Sequence, residues 1–165
     1  MTQRIAYTSV APEAVRFFRQ AGHYLRTATT IEPTVLHLVF LRASQMNGCA
    51  FCIAMHWREA KEDGIEDDRL HGLPAWREAP WYSDRERAAL AWTEAVTDVM
   101  HSHIPDDVYV QARTAFSERE LVDLTLAVNT INGWNRFAIA FRTPPELAAG
   151  VVEAQRAESQ PRAAS

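Results

Sequence analysis

The sequence predicts an all-α protein, a single bundle of six to eight helices, on three observations. Apolar residues recur at helical spacing almost throughout, and period-2 alternation shows only weakly, in Ile5 to Val10. The composition, 47% apolar and 23% charged over 165 residues, is that of one globular domain able to bury a core. That domain is expected over residues 1–150, with 151–165 as a frayed tail.

The elements follow in order. Ala14, Phe17, Phe18, Ala21, Leu25 and Ala28 fall on one helical face. Glu32-Pro33 opens a second helix, where proline suits the first turn. Val35 to Leu41 is apolar on all sides except at His37, the pattern of a central, buried helix. Asn47-Gly48 breaks it, and a third helix runs from about Cys49 to Gly64, a residue suited to a left-handed stop. Residues 65–82 read as irregular or short helix, with Trp76, Trp81 and Tyr82 expected as a lid or a subunit contact. Ser83 with Glu86 and Ser117 with Glu120 read as capping boxes. The first places Ala89, Trp92, Val96 and Val99 on one face, and Leu121, Leu124, Val128 and Ile131 continue the core stripe beyond the second box. Between them Ile104-Pro105 ends one helix, and Asp106 or Asp107 starts a shorter one to about Phe116. Gly133 marks an expected break or bend, and Pro144-Pro145 stops the last segment.

Composition also narrows function. The net charge is −4, Lys61 is the lone lysine among 17 basic residues, and no basic cluster offers a nucleic-acid footprint. The longest apolar run, Val35 to Leu41, is too short to span a bilayer. The N-terminal MTQRIAYTSVAPEA carries no hydrophobic signal core, so the expected compartment is the cytoplasm, where thiols stay reduced. Two cysteines there read as catalytic, redox-active or metal-binding.

The informative stretch is RASQMNGCAFCIAMHWREA, residues 42–60. Cys49 and Cys52 form C-x-x-C at a helix start, a spacing that brings the sulfurs within disulfide reach. First-turn N–H groups and the helix dipole favour thiolate over thiol, most of all at Cys49. His56 lies one turn beyond Cys52 on the same face and can take or return a proton. Two thiols and a base so close together make a two-electron redox device.

Other readings stand beside this one. Cys49, Cys52, His56 and His37 would make a sensible tetrahedral zinc set. The bland reading of the cysteines is as small buried hydrophobes on a core helix, against which the spacing and flanking residues speak. His37 reads as readily as a buried, hydrogen-bonded histidine as a proton relay. His23, His71, His101 and His103 read as surface or helix-end residues. Trp134, Asn135 and Arg136 either line a pocket near the thiols or serve helix packing.

Residues 42–60 resemble the core motif of the alkylhydroperoxidase D-like proteins of the carboxymuconolactone decarboxylase-like family. That motif is a Glu followed by L-R-x-S-Q-x-N-G-C-x-x-C-x-x-x-H, matched here at Leu41, Arg42, Ser44, Gln45, Asn47, Gly48, Cys49, Cys52 and His56. INGWNRFAIAFRTPP, residues 131–145, resembles the family's W-N-R…F-R-T-P helix. The resemblance covers most of residues 10–150 and implies the family's helical bundle. It also implies a peroxiredoxin-like, thiol-dependent reduction of organic hydroperoxides, with neither metal nor organic cofactor. Cys52 would attack the peroxide, Cys49 would resolve the product to a disulfide, and His56 would join the proton relay. The implied partners are a thiol or dithiol reductant and further copies of the chain, in a trimer or hexamer. The decarboxylases that share the fold lack the cysteine pair, which argues against lyase chemistry. One departure stands out: twelve residues before Cys49, His37 replaces the motif's Glu. An imidazole can relay a proton, but it cannot hold a neighbouring imidazolium by opposite charge. A redox-responsive interaction protein, whose disulfide controls assembly, is the alternative from another class.

Overall fold

The chain begins with one helical turn, α1 (Tyr7–Val10), where the sequence showed its only trace of strand-like alternation. A 3-10 turn (Pro12–Val15) leads into α2 (Arg16–Thr27). Then come α3 (Pro33–Asn47), α4 (Ala50–Glu62), the short α5 (Asp67–His71), a second 3-10 turn (Leu73–Ala75) and α6 (Asp84–Thr97). The single turn α7 (Val99–Ser102), α8 (Asp106–Ala115) and the long α9 (Glu118–Ala140) complete the order. This computed structural model describes residues 2–145, and the tail expected over 151–165 lies outside them. Among the described residues there is no strand, and six of the helices run to ten residues or more.

Helix α3 holds the centre, packing against α4, α6 and α9. A helix with no polar face must be surrounded, and Val35, Leu38, Val39 and Leu41 are all buried. The two expected capping boxes form, at Ser83 for α6 and Ser117 for α9. Among the described residues no helix is long and apolar enough to cross a membrane.

Three local expectations are corrected. α9 runs unbroken through Gly133, because the glycine serves close packing and not a bend. A Cβ there would lie 2.1 Å from Cε1 of the Phe18 ring, so α2 and α9 approach only over a bare Cα. Trp76 and Tyr82 are core residues, 4% and 5% exposed, packed with Leu38, Leu70, Leu73 and Leu90; Trp81 alone of that cluster stays exposed. Phe17, on the apolar face read from the sequence, is 71% exposed, with its neighbour Arg16 lying over the ring.

Candidate dithiol site

The site is built where α3 turns into α4. Gly48 ends α3 at φ 67°, a left-handed conformation that glycine adopts without Cβ strain. Cys49 then caps α4, and its sulfur accepts the Cys52 backbone N–H at 3.3 Å. A cysteine thus stands where a serine or aspartate usually caps, with its sulfur at the positive end of the helix. Cys49 and Cys52 form a disulfide, with Cα atoms 5.3 Å apart. Each is only 1% exposed, in an apolar setting that includes Ala43, Ile131 and Ala138, with Phe40 and Phe51 alongside.

A buried amide network holds this turn in place. Asn47 Nδ2 lies 2.7 Å from Asn132 Oδ1 and 2.8 Å from Asn135 Oδ1. Asn135 Nδ2 donates to Ser44 Oγ at 3.1 Å, and Asn132 Nδ2 donates to Thr97 Oγ1 at 3.0 Å. Asn135 is fully buried. It joins the last turn of α3 to α9, which decides for packing over pocket-lining. Its neighbours follow suit: Trp134 packs on Phe18 at 5.5 Å, and Arg136 donates to the Asn132 carbonyl of its own helix. Ser44 and Asn47 of the first matched segment and Asn135 of the second are therefore one hydrogen-bonded unit behind the cysteines.

The two imidazoles each meet a carboxylate. His56 is buried on α4, its ring 5.1 Å from that of Phe40 and its Nδ1 2.7 Å from Glu59 Oε2. His37 on α3 places Nε2 2.6 Å from Asp63 Oδ2. The hydrogen bond from His56 holds the Glu59 carboxyl below its ordinary range against the opposing effect of burial, with the charges of His56, His37 and Arg26 adding to it. Both histidines line a cavity of about 520 Å³ together with Phe40, Glu59, Glu62 and Asp63. Neither cysteine lines it. Cys49 instead lines a second cavity, of about 430 Å³, with Phe51, Ile139, Arg142 and Pro144.

The four residues singled out from the sequence therefore fall into two pairs. The sulfurs are bonded to each other, and each imidazole is bonded to a carboxylate. The tetrahedral zinc set is not assembled: among the described residues, no group of three or more His, Cys, Asp or Glu side chains could hold a metal ion. His101, read as a surface residue, is exposed and pairs with Asp98. Sequence reasoning missed Glu59, Asp63 and Phe40. Glu59 was within reach, since a carboxylate three residues after His56 shares its helical face. The pairing of His37 with Asp63, 26 residues on, carries no sequence signal.

A disulfide-forming pair at a helix N-terminus, in an all-α frame centred on one buried helix, defines a helical dithiol protein. The chain belongs to the carboxymuconolactone decarboxylase family, whose model matches residues 12–95, and is alkylhydroperoxidase D-like within it. It is 40% identical over 140 residues to the uncharacterized protein YdfG of Bacillus subtilis, covering 85% of this chain and 95% of YdfG. The uncharacterized protein YnjA of Escherichia coli is 30% identical over 125 residues, 76% of this chain and 68% of YnjA. Among solved structures, ATU0492 of Agrobacterium tumefaciens superposes with a TM-score of 0.86 at 38% identity, covering 89% of this chain and all of that one. ATU0492 is described as a protein of unknown function whose name suggests an AhpD antioxidant defence role.

Proposed function

We propose that this chain is a cytoplasmic peroxiredoxin-like enzyme that reduces organic hydroperoxides with the Cys49/Cys52 dithiol. The observation that carries the reading is the disulfide at the start of α4, with one sulfur on the helix cap and both sheltered from water. Shelter suits a sulfenic acid, which survives only where stray thiols and further oxidant are kept away.

In the first step the Cys52 thiolate attacks the peroxide. The O–O bond breaks, the alkoxide leaves and takes a proton to become the alcohol, and Cys52 is oxidised by two electrons to the sulfenic acid. The Cys49 thiolate then attacks the Cys52 sulfur and expels hydroxide, which is protonated to water as the S–S bond forms. His56, one turn along α4, handles the proton. Two electrons return from an external dithiol or two thiols. One thiolate attacks the Cys49 sulfur, which lines the second cavity, Cys52 leaves as thiolate, and a second thiol resolves the mixed disulfide. The working form in this reading is a homo-oligomer of three or six copies, which light scattering of the purified chain would check.

The test is a single-turnover titration of the reduced, metal-free protein with an organic hydroperoxide. The reading expects one peroxide consumed per two thiols lost, and a mass decrease of about 2 Da for the intramolecular disulfide. Cys52→Ser should abolish peroxide consumption. A serine variant that consumes peroxide as fast as the parent would sink the assignment.

A further inference from the structure

The motif that this chain resembles carries a carboxylate twelve residues before the first cysteine, and here that place is held by His37. His37 supplies no carboxylate in its place. Its Nε2 is committed to Asp63 at 2.6 Å, and an imidazole offers no negative charge to a neighbouring imidazolium. A carboxylate is nonetheless present at His56, supplied from the other direction: Glu59, one turn further along α4, reaches back to Nδ1 at 2.7 Å. The His56 ring makes no other hydrogen bond among the described residues, so Nε2 is left open. Phe40 lies against the ring, centroids 5.1 Å apart and planes tilted by 33°, and His56 is 8% exposed.

We infer that Glu59 is the positioning residue for His56, holding the neutral ring as its Nδ1–H tautomer so that Nε2 is the proton-accepting nitrogen. Which nitrogen of an imidazole carries the proton is set by the partner of the other. An acceptor-only carboxylate at Nδ1 leaves one choice. The lowered range of the Glu59 carboxyl keeps it ionised, and therefore an acceptor, throughout the neutral range. Glu59 touches neither sulfur and is no catalytic group; it acts through His56. The inference rests on the peroxidase reading for its consequence in rate, but its structural content is independent of it.

The experiment uses the full chain, reduced, with Glu59→Leu to remove the acceptor and Glu59→Gln to keep an acceptor oxygen without the charge. Two quantities are read: the His56 tautomer from imidazole ¹⁵N shifts at mildly alkaline pH, and the rate of disulfide formation with cumene hydroperoxide. The parent and the Gln variant should show the Nδ1–H tautomer. The Leu variant should shift to Nε2–H and slow on the order of 10–100-fold, with its dependence on peroxide concentration unchanged. Glutamine should restore the rate to within several-fold of the parent. Thermal melts check that the Leu chain is folded, as expected for a side chain that is 48% exposed. A Leu variant that keeps the Nδ1–H tautomer, or reacts within twofold of the parent, overturns the inference, as does a Gln variant as slow as Leu. If the parent itself consumes no peroxide, the functional reading fails, and the ¹⁵N shifts still decide the role of Glu59.

Discussion

The first turn of α4 and its later turns are built by different physics. At the start of the helix the two sulfurs sit in an apolar cluster with Ala43, Ile131 and Ala138, braced by uncharged amides. From His56 onward the same helix presents Glu59, Glu62 and Asp63 to a cavity shared with His37. Phe40 touches both regions, packing on the cysteine cluster and lying tilted against His56. The difference teaches why they are kept apart. A nearby carboxylate raises the pKa of a thiol, and a thiolate loses its advantage as attacking group when it must share low-dielectric space with negative charge. Phe40, packed on the cysteine cluster and against His56, is the side chain that the thiol end of the helix shares with the charged cavity further along.

Removing the shared ring tests the contrast most severely. Phe40→Ala should cost about 3 kcal/mol of unfolding free energy, the low end of the range for truncating an aromatic ring, since Phe40 is partly buried, read by urea denaturation. In the reduced protein it should also speed reaction of the cysteines, each 1% exposed, with a thiol reagent, because a ring packed on their cluster is then gone. Unchanged thiol reactivity would mean that Phe40 does not shelter the sulfurs.

A smaller effect is expected behind the first turn. Asn135→Ala leaves Asn47 and Ser44 each short of a buried partner, a loss of about 2 kcal/mol. Its functional effect should fall on the cysteines, through slower disulfide formation, and leave the His56 ¹⁵N shifts alone. A double-mutant cycle with Asn47→Ala should show a coupling of about 1 kcal/mol, since the two amides share one hydrogen bond. Additive losses would show that the network braces nothing.

What the sequence disclosed and what it hid divide along the same line. The helix start at Cys49, the caps at Ser83 and Ser117 and the central place of Val35 to Leu41 depend on neighbours within a turn or two, or on bare apolar content. Such features can be read from one strand of text. Gly133 was misjudged because the reason for it is the Phe18 ring, far away in the chain, pressed against its Cα. Trp76 and Tyr82 were misjudged because an irregular stretch rich in aromatics looks like surface until Leu38, Leu70, Leu73 and Leu90 are seen to enclose it. At the site, the identities of the sulfurs and imidazoles were legible, and the gathering of both imidazoles with Glu59 and Asp63 around one cavity was not. That grouping is a property of how α3 and α4 face each other, and spacing along either helix alone carries no trace of it.

The finest distinction between the two regions is their response to acid. Glu59 has a folded-state pKa lowered from 4.5, chiefly by its hydrogen bond with His56. A depressed carboxylate contributes stability that is fully present above its unfolded value and is lost as the pH falls through its folded value. The Glu59 side chain is 48% exposed, so solvent screening limits the contribution to less than about 1 kcal/mol. The stability difference between the parent and Glu59→Gln should therefore shrink towards zero as the pH falls below about 4.5. Amides do not titrate, so the deficit of Asn135→Ala should stay constant over the same range. Urea denaturation of the three chains at closely spaced pH values makes the comparison. A Glu59→Gln deficit that persists unchanged well below pH 4 would show that the carboxylate acts there by shape alone, and that the later turns of α4 are no more electrostatic than the first.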